Sequence, residues 1–121
     1  MIIYVTIMHE LSLIASLFDI IEKKADEKKA KKILSVKLQV GIFSGAVPEL
    51  LISAFDIYKK DTLAREAEIT CEKVLLKMYC KDCGVESTSD DYILACSKCH
   101  SSNLKTVAGT ELILERIEME I

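Results

Sequence analysis

Tryptophan is absent from this 121-residue chain, proline occurs once, at Pro48, and histidine twice, at His9 and His100. Aromatic residues are few, while half of all residues are hydrophobic, so a core is available and it is aliphatic. No apolar run reaches the roughly 18 residues needed to cross a bilayer. The short apolar opening, residues 1–7, lacks the basic start and cleavage site of a secretion signal. Basic charge is not in excess either: 16 Lys and Arg stand against 19 Asp and Glu, a net charge of −3. That balance argues against a duplex nucleic-acid binder, whose affinity rests on neutralising phosphates. Repeats and low-complexity linkers are missing, and the length suits one domain, or one domain with a small satellite.

Against these absences stand five cysteines, four of which form two C-x2-C pairs: Cys80 with Cys83 and, twelve residues on, Cys96 with Cys99. Two intervening residues let a tight turn aim both thiolates at one point, and a second such turn closes a tetrahedron. Four thiolates favour zinc or iron and leave no open position, so the expected site is structural. Colour separates the metals, because a ferric thiolate protein is red. His100 follows Cys99 directly, where it either replaces a thiolate or supports one from outside; the peripheral role is expected. Five cysteines in this pattern suit a reducing cytoplasm, and Cys71 reads as a small buried hydrophobe.

Periodicity orders the rest. Leu13, Ile14, Leu17, Ile20 and Ile21 recur at helical steps and predict a helix from about His9 to Ala25. The lysine-rich stretch 23–32 reads as its solvated end. Leu34, Val36, Leu38, Val40 and Ile42 then alternate with polar residues or Gly41, predicting a half-buried antiparallel strand. Pro48 suits a helix start, followed by a stripe of Leu51, Ala54, Phe55 and Tyr58. Residues 67–78 read as another strand with a bulge near Val74, and 111–121 as the last, pairing with it around a metal lobe. The expected class is α+β: a small mixed or antiparallel three-stranded sheet with two helices and an inserted zinc-ribbon-like lobe. Residues 1–78 and 107–121 form the main domain and 79–106 the insertion, which is too small to fold without its metal.

A second constellation is Met8-His9-Glu10, just ahead of the first helical stripe. Residues 1–7 have no place in that stripe, and the expectation is that translation starts at Met8. A terminal amine, the next backbone amides and the His9 imidazole then wrap one ion in a plane, which favours Ni(II) or Cu(II).

Met8-His9-Glu10-Leu11-Ser12-Leu13, Val40-Gly41-Ile42-Phe43-Ser44-Gly45-Ala46-Val47-Pro48-Glu49, Ser53-Ala54-Phe55, both CxxC pairs and Gly109-Thr110-Glu111-Leu112 follow in order. In that combination the chain resembles the HypA family of hydrogenase nickel-incorporation proteins from Met8 to its end. The resemblance implies a metallochaperone rather than an enzyme, holding Ni(II) at Met8, His9 and Glu10 and zinc at Cys80, Cys83, Cys96 and Cys99. It implies a HypB-type GTPase and the hydrogenase large subunit as partners, with urease maturation served in some relatives. By the same resemblance Glu10 contributes its amide and aids partner contact. Some relatives carry an acidic side chain where Val47 stands, so no carboxylate ligand comes from there. The competing reading is a zinc-ribbon module for nucleic acid or protein. Residues 79–106 disfavour the nucleic-acid form, setting Lys81, Lys98 and Lys105 against Asp82, Glu86, Asp90 and Asp91. No nucleophile–base pair marks a catalytic site.

Overall fold

The computed structural model describes the backbone of residues 2–121 and the side chains from Glu10 onward. In chain order the elements are α1 (Ile2–Lys28), β1 (Lys32–Gly41), α2 (Pro48–Tyr58), β2 (Glu68–Val74), β3 (Leu76–Cys80), β4 (Glu86–Ser89), β5 (Leu104–Ala108) and β6 (Leu112–Glu120). They build two three-stranded sheets, β2-β1-β6 and β4-β3-β5, the α+β class expected.

Helix α1 runs from Ile2 to Lys28, so its backbone begins ahead of the expected start near His9 and takes in residues 2–7, which the sequence placed outside it. Lys29 turns left-handed at φ 55°. Its N–H donates to Asp26 O, and the Ala30 N–H donates back to Ala25 O, a Schellman stop that satisfies the last carbonyls. Ile14, Leu17, Phe18, Ile21 and Ala25 form the buried face of α1. Phe18 was missed by the aliphatic stripe, yet its ring centroid lies 5.3 Å from that of Phe55 and 4.9 Å from that of Tyr58. Ile20, expected inside, is 48% exposed.

Strand β1 is central, parallel to β2 through the α2 crossover and antiparallel to β6. Three sequence expectations are corrected here. β1 is not purely antiparallel, since a helix-length connection allows a parallel partner. The stretch 67–78 is not one bulged strand: the chain leaves the first sheet after Val74 and enters the second at Leu76. β2 and β6 therefore do not pair, but lie on opposite edges of β1. A register shift between Ile33 and Ser35 further inverts the strand's opening, burying Ile33 and leaving Leu34 exposed.

Ile33, Val36, Leu38 and Val40 pack with both helices in a core that Ile69, Leu112, Leu114, Ile117 and Met119 flank. The opposite face of the sheet is charged. Lys37 reaches Glu72 and Glu115, one on each neighbouring strand, at 3.0 Å. Hydrogen bonds to Glu115 and Glu72 raise the Lys37 ammonium above its ordinary range. Cys71 packs against the core edge, and its burial, with Glu49 nearby, pushes its thiol up. It stays a protonated hydrophobe. Among the described residues no helix is long and apolar enough to cross a membrane.

Candidate metal centre

Strand β3 delivers Cys80 into the first of two knuckles that repeat each other bond for bond. In the first, Cys80 N–H donates to Val85 O and Gly84 N–H to Cys80 O, at 2.9 and 2.8 Å. In the second, Cys96 N–H donates to Ser101 O and His100 N–H to Cys96 O, at 2.8 and 3.0 Å. Both turns close through a left-handed residue, Gly84 at φ 78° and His100 at φ 62°. Glycine adopts that conformation freely and histidine does not. Asp82 ties the knuckles together by accepting from Ser101 Oγ and from Asn103 Nδ2. These two bonds hold its carboxyl below the usual range.

The four sulfurs of Cys80, Cys83, Cys96 and Cys99 converge within 4.8 Å of one another. Cys80 Sγ lies 3.6 Å from Cys99 Sγ, and Cys83 Sγ 3.5 Å from Cys96 Sγ. A tetrahedron with zinc–thiolate bonds of about 2.3 Å has edges of about 3.8 Å, so the cluster fits such an ion. Backbone amides prepare the sulfurs for negative charge. Cys99 and Lys98 N–H donate to Cys96 Sγ at 3.5 and 3.4 Å and bring that thiol down to about 6. At Cys99 the Ser101 amide favours the thiolate, but burial and the three crowding sulfurs prevail and push it up to about 12. Without a cation the four sulfurs cannot all be thiolates. With one they can, and no coordination position remains open for catalysis.

His100 is outside this cluster. Its place is set by the backbone of the second knuckle, where it occupies the position Gly84 holds in the first. Replacing it, His100→Gly, should leave metal content unchanged. Relief of the left-handed strain, about 1–2 kcal/mol, outweighs or balances glycine's added unfolded-state freedom, about 0.5–1 kcal/mol. Thermal unfolding and elemental analysis check both; a lost metal equivalent would make His100 a ligand.

Of the Met8-His9-Glu10 constellation, the side chains of Met8 and His9 lie outside the described residues. Glu10 is described and is wholly buried. Its Oε1 accepts the Val47 N–H at 3.3 Å. The expectation that Glu10 aids partner contact is thereby corrected for its side chain, which offers a partner no surface. Sequence reasoning also missed the contact that joins the two sheets' loops. Phe43, after β1, stacks on Tyr92 of the cysteine lobe, with ring centroids 4.7 Å apart.

Comparison with known proteins agrees with this geometry. A family model described as hydrogenase/urease nickel incorporation, metallochaperone, hypA matches residues 8–119. Hydrogenase maturation factor HypA of Aquifex aeolicus is 38% identical over 114 residues, covering 94% of this chain and 99% of that relative. The Shewanella oneidensis protein of the same name is 34% identical over 113 residues, covering 93% and 96%. Two solved structures are also similar. The solution structure of the Ni metallochaperone HypA from Helicobacter pylori has a TM-score of 0.68 at 29% identity, covering 92% of this chain and 97% of its own. A solution structure of HypA protein has a TM-score of 0.73 at 30% identity, covering 93% and 96%.

Proposed function

The chain belongs to the HypA family of nickel metallochaperones for hydrogenase nickel incorporation, and on that premise we propose that it carries Ni(II) as cargo on Met8, His9 and Glu10. The observation that carries this reading is the family match itself, which opens at residue 8, on the Met-His-Glu motif, and runs through both cysteine pairs. A carrier needs a site that binds and releases. Imidazole and backbone nitrogen in a plane suit Ni(II), and the four closed thiolates do not suit exchange.

In this reading zinc occupies Cys80, Cys83, Cys96 and Cys99 as a permanent structural ion. Residues 79–106 act as the inserted zinc domain, and 1–78 with 107–121 as the nickel domain. The protein works in the cytoplasm, has no catalytic activity of its own, and hands nickel through a HypB-type GTPase to the hydrogenase large subunit. A urease maturation factor is a second recipient, in keeping with the urease role in the family's description.

His9→Ala should abolish stoichiometric nickel binding while zinc content and the far-ultraviolet spectrum stay as they are. Only a neutral imidazole ligates, so nickel affinity should also fall as pH drops through about 6.5, where an unperturbed imidazole gains its proton. Titration of wild-type and variant protein with Ni(II) checks both. Full nickel binding by His9→Ala would move the cargo site elsewhere.

A further inference from the structure

Strand β3 points its side chains two ways. Cys80 is buried and turned to the four-sulfur cluster, and Tyr79, one residue earlier, is on the opposite face of the second sheet. Directly across from Tyr79 stand Glu86 on β4 and Lys105 on β5, and side chains so paired share a face. Together with Lys81, Thr106 and Val107 they line a shallow depression of about 540 Å³. Tyr79 is 38% and Val107 49% exposed, and neither belongs to the core cluster. The Tyr79 hydroxyl comes within 3.7 Å of where a Cβ on Gly84 would lie, so the ring leans along the sheet toward the first knuckle.

The charges of this lobe are sorted in a way that its sequence does not show. Lys81 and Lys105 line the depression. Of the acidic residues that balance them along the chain, Asp82 accepts from Ser101 and Asn103, and Asp91 accepts from the Tyr92 N–H. Glu86 is the one acidic group lining the depression, and Lys77 already holds it at 3.9 Å. Two ammonium groups are thereby left uncompensated among the described residues, on a chain whose net charge is −3. Strand propensity accounts for a tyrosine and a valine here, but not for this sorting. β5 is also an outer strand, in the order β4-β3-β5. Its outward N–H and C=O groups have no strand partner beside Lys105 and Val107.

We propose that this face of the second sheet docks an extended acidic segment of a partner protein. Carboxylates of the segment meet Lys81 and Lys105, an aliphatic side chain between them lies on Tyr79 and Val107, and the main chain runs beside the β5 edge. Charge complementarity selects the sign of the partner, and the unpaired edge selects an extended backbone. Single-stranded nucleic acid would meet the same cations, but it stacks successive bases on successive aromatic rings, and the depression has one ring. Glu86 also repels phosphate there. The proposal does not depend on where the cargo ion sits, because the face lies opposite Cys80 and includes no residue of Met8-His9-Glu10.

The probe is a short fluorescein-labelled peptide of alternating glutamate and valine, titrated with the zinc-loaded full chain and followed by anisotropy. It should bind, and more weakly as salt is added, because exposed charges are screened. A lysine–valine peptide of the same length and oligothymidylate should not bind. Lys81→Gln combined with Lys105→Gln should weaken binding about fivefold or more, the ratio that two exposed ion pairs supply. Lys23→Gln combined with Lys28→Gln removes the same charge from the exposed side of α1 and should leave binding unchanged. In the wild-type protein the amide resonances of Lys105, Thr106 and Val107 should shift with the peptide while those of β1 stay, a readout that needs no variant. The proposal is overturned by absence of binding to the glutamate–valine peptide, by equal binding of the lysine–valine peptide, or by tighter binding of oligothymidylate. Unchanged binding without Lys81 and Lys105, equal loss in the two double variants, or shifts confined to β1 would overturn it as well.

Discussion

Cys83→Ala should strip the protein of its zinc equivalent and unfold the lobe from Leu76 to Ala108, leaving the first sheet and both helices in place. The reason is how little else holds that lobe. Its buried side chains among the described residues are Leu76, Cys80 and Cys96, and two of these three belong to the four-cysteine cluster. None of its residues belongs to the main core cluster. Tyr92 is 73% and Leu94 82% exposed, so the apolar residues that are present do not collapse onto one another. A sheet of five-, four- and five-residue strands without a core is not self-sustaining. Structural zinc contributes about 10–16 kcal/mol of apparent folding free energy in small peptides, which exceeds anything the remaining contacts supply. Zinc per chain by elemental analysis, with amide exchange resolved along the sequence, tests the prediction. Protection should vanish in β3, β4 and β5 and persist in β1 and β6. A variant that keeps one zinc, or that loses protection throughout, would contradict it.

The metal cluster was legible from spacing because C-x2-C constrains the backbone within four residues. The turn geometry, and hence the convergence of the thiolates, is almost wholly local. Helix α2, and α1 from about His9 onward, were legible for a related reason, since a stripe at helical steps is a statement about near neighbours; the opening of α1 from Ile2 was not. Sheet order was not. Alternation in β1 shows that one face is buried, but it is equally compatible with a parallel or an antiparallel partner. Both expected edge strands, 67–78 and 111–121, carry the same pattern. Only the α2 crossover, placing β2 parallel beside β1, separates the two arrangements. Leu75 and Leu76 illustrate the limit further. An apolar pair after an alternating run reads as a bulge, whereas in the structure it marks where the chain changes sheets.

Glu10 was legible as part of a motif and illegible as a buried group. At the helix start expected near His9, a glutamate is an ordinary solvent-facing residue by every local rule, whereas in the structure Glu10 lies inside α1. Its burial comes from the loop after β1, which folds Val47 over it, a contact with no sequence signature. Phe43 and Tyr92 were hidden in the same way. Each is a lone aromatic in a polar or irregular segment, and the stack between them depends on the second sheet rising beside the first.

Gly109→Ala should be far more damaging than the same methyl group added at Gly45. Gly109 stands between β5 and β6 at φ 101°, and a Cβ there would come within 2.6 Å of Leu76 Cα and 2.7 Å of Leu75 O. Those are backbone atoms at the point where the chain passes from the first sheet to the second, and they cannot rotate aside. A Cβ on Gly41 would lie 2.4 Å from the Gly109 carbonyl carbon, so three chain segments meet here with no room for a side chain. The same point is hydrogen-bonded from every side: Gly41 N–H to Glu111 O, Ile42 N–H to Val74 O and Phe43 N–H to Gly109 O, at 2.9 to 3.0 Å. Any shift that admits the methyl breaks bonds joining the two lobes. Gly45 supplies the control, because it too has a positive φ, 84°, but open space around its missing Cβ. Gly45→Ala therefore measures conformational strain alone, about 1–2 kcal/mol. Gly109→Ala adds the steric term and should exceed about 4 kcal/mol, the range reserved for broken packing. At about 4 °C per kcal/mol for a domain of this size, the midpoints should fall by about 4–8 °C for Gly45→Ala and by about 16 °C or more for Gly109→Ala. Thermal unfolding of the two zinc-loaded variants beside the wild type makes the comparison. Equal losses would mean that the backbone crossing at Gly109 yields, and that strain rather than close approach is what requires glycine there.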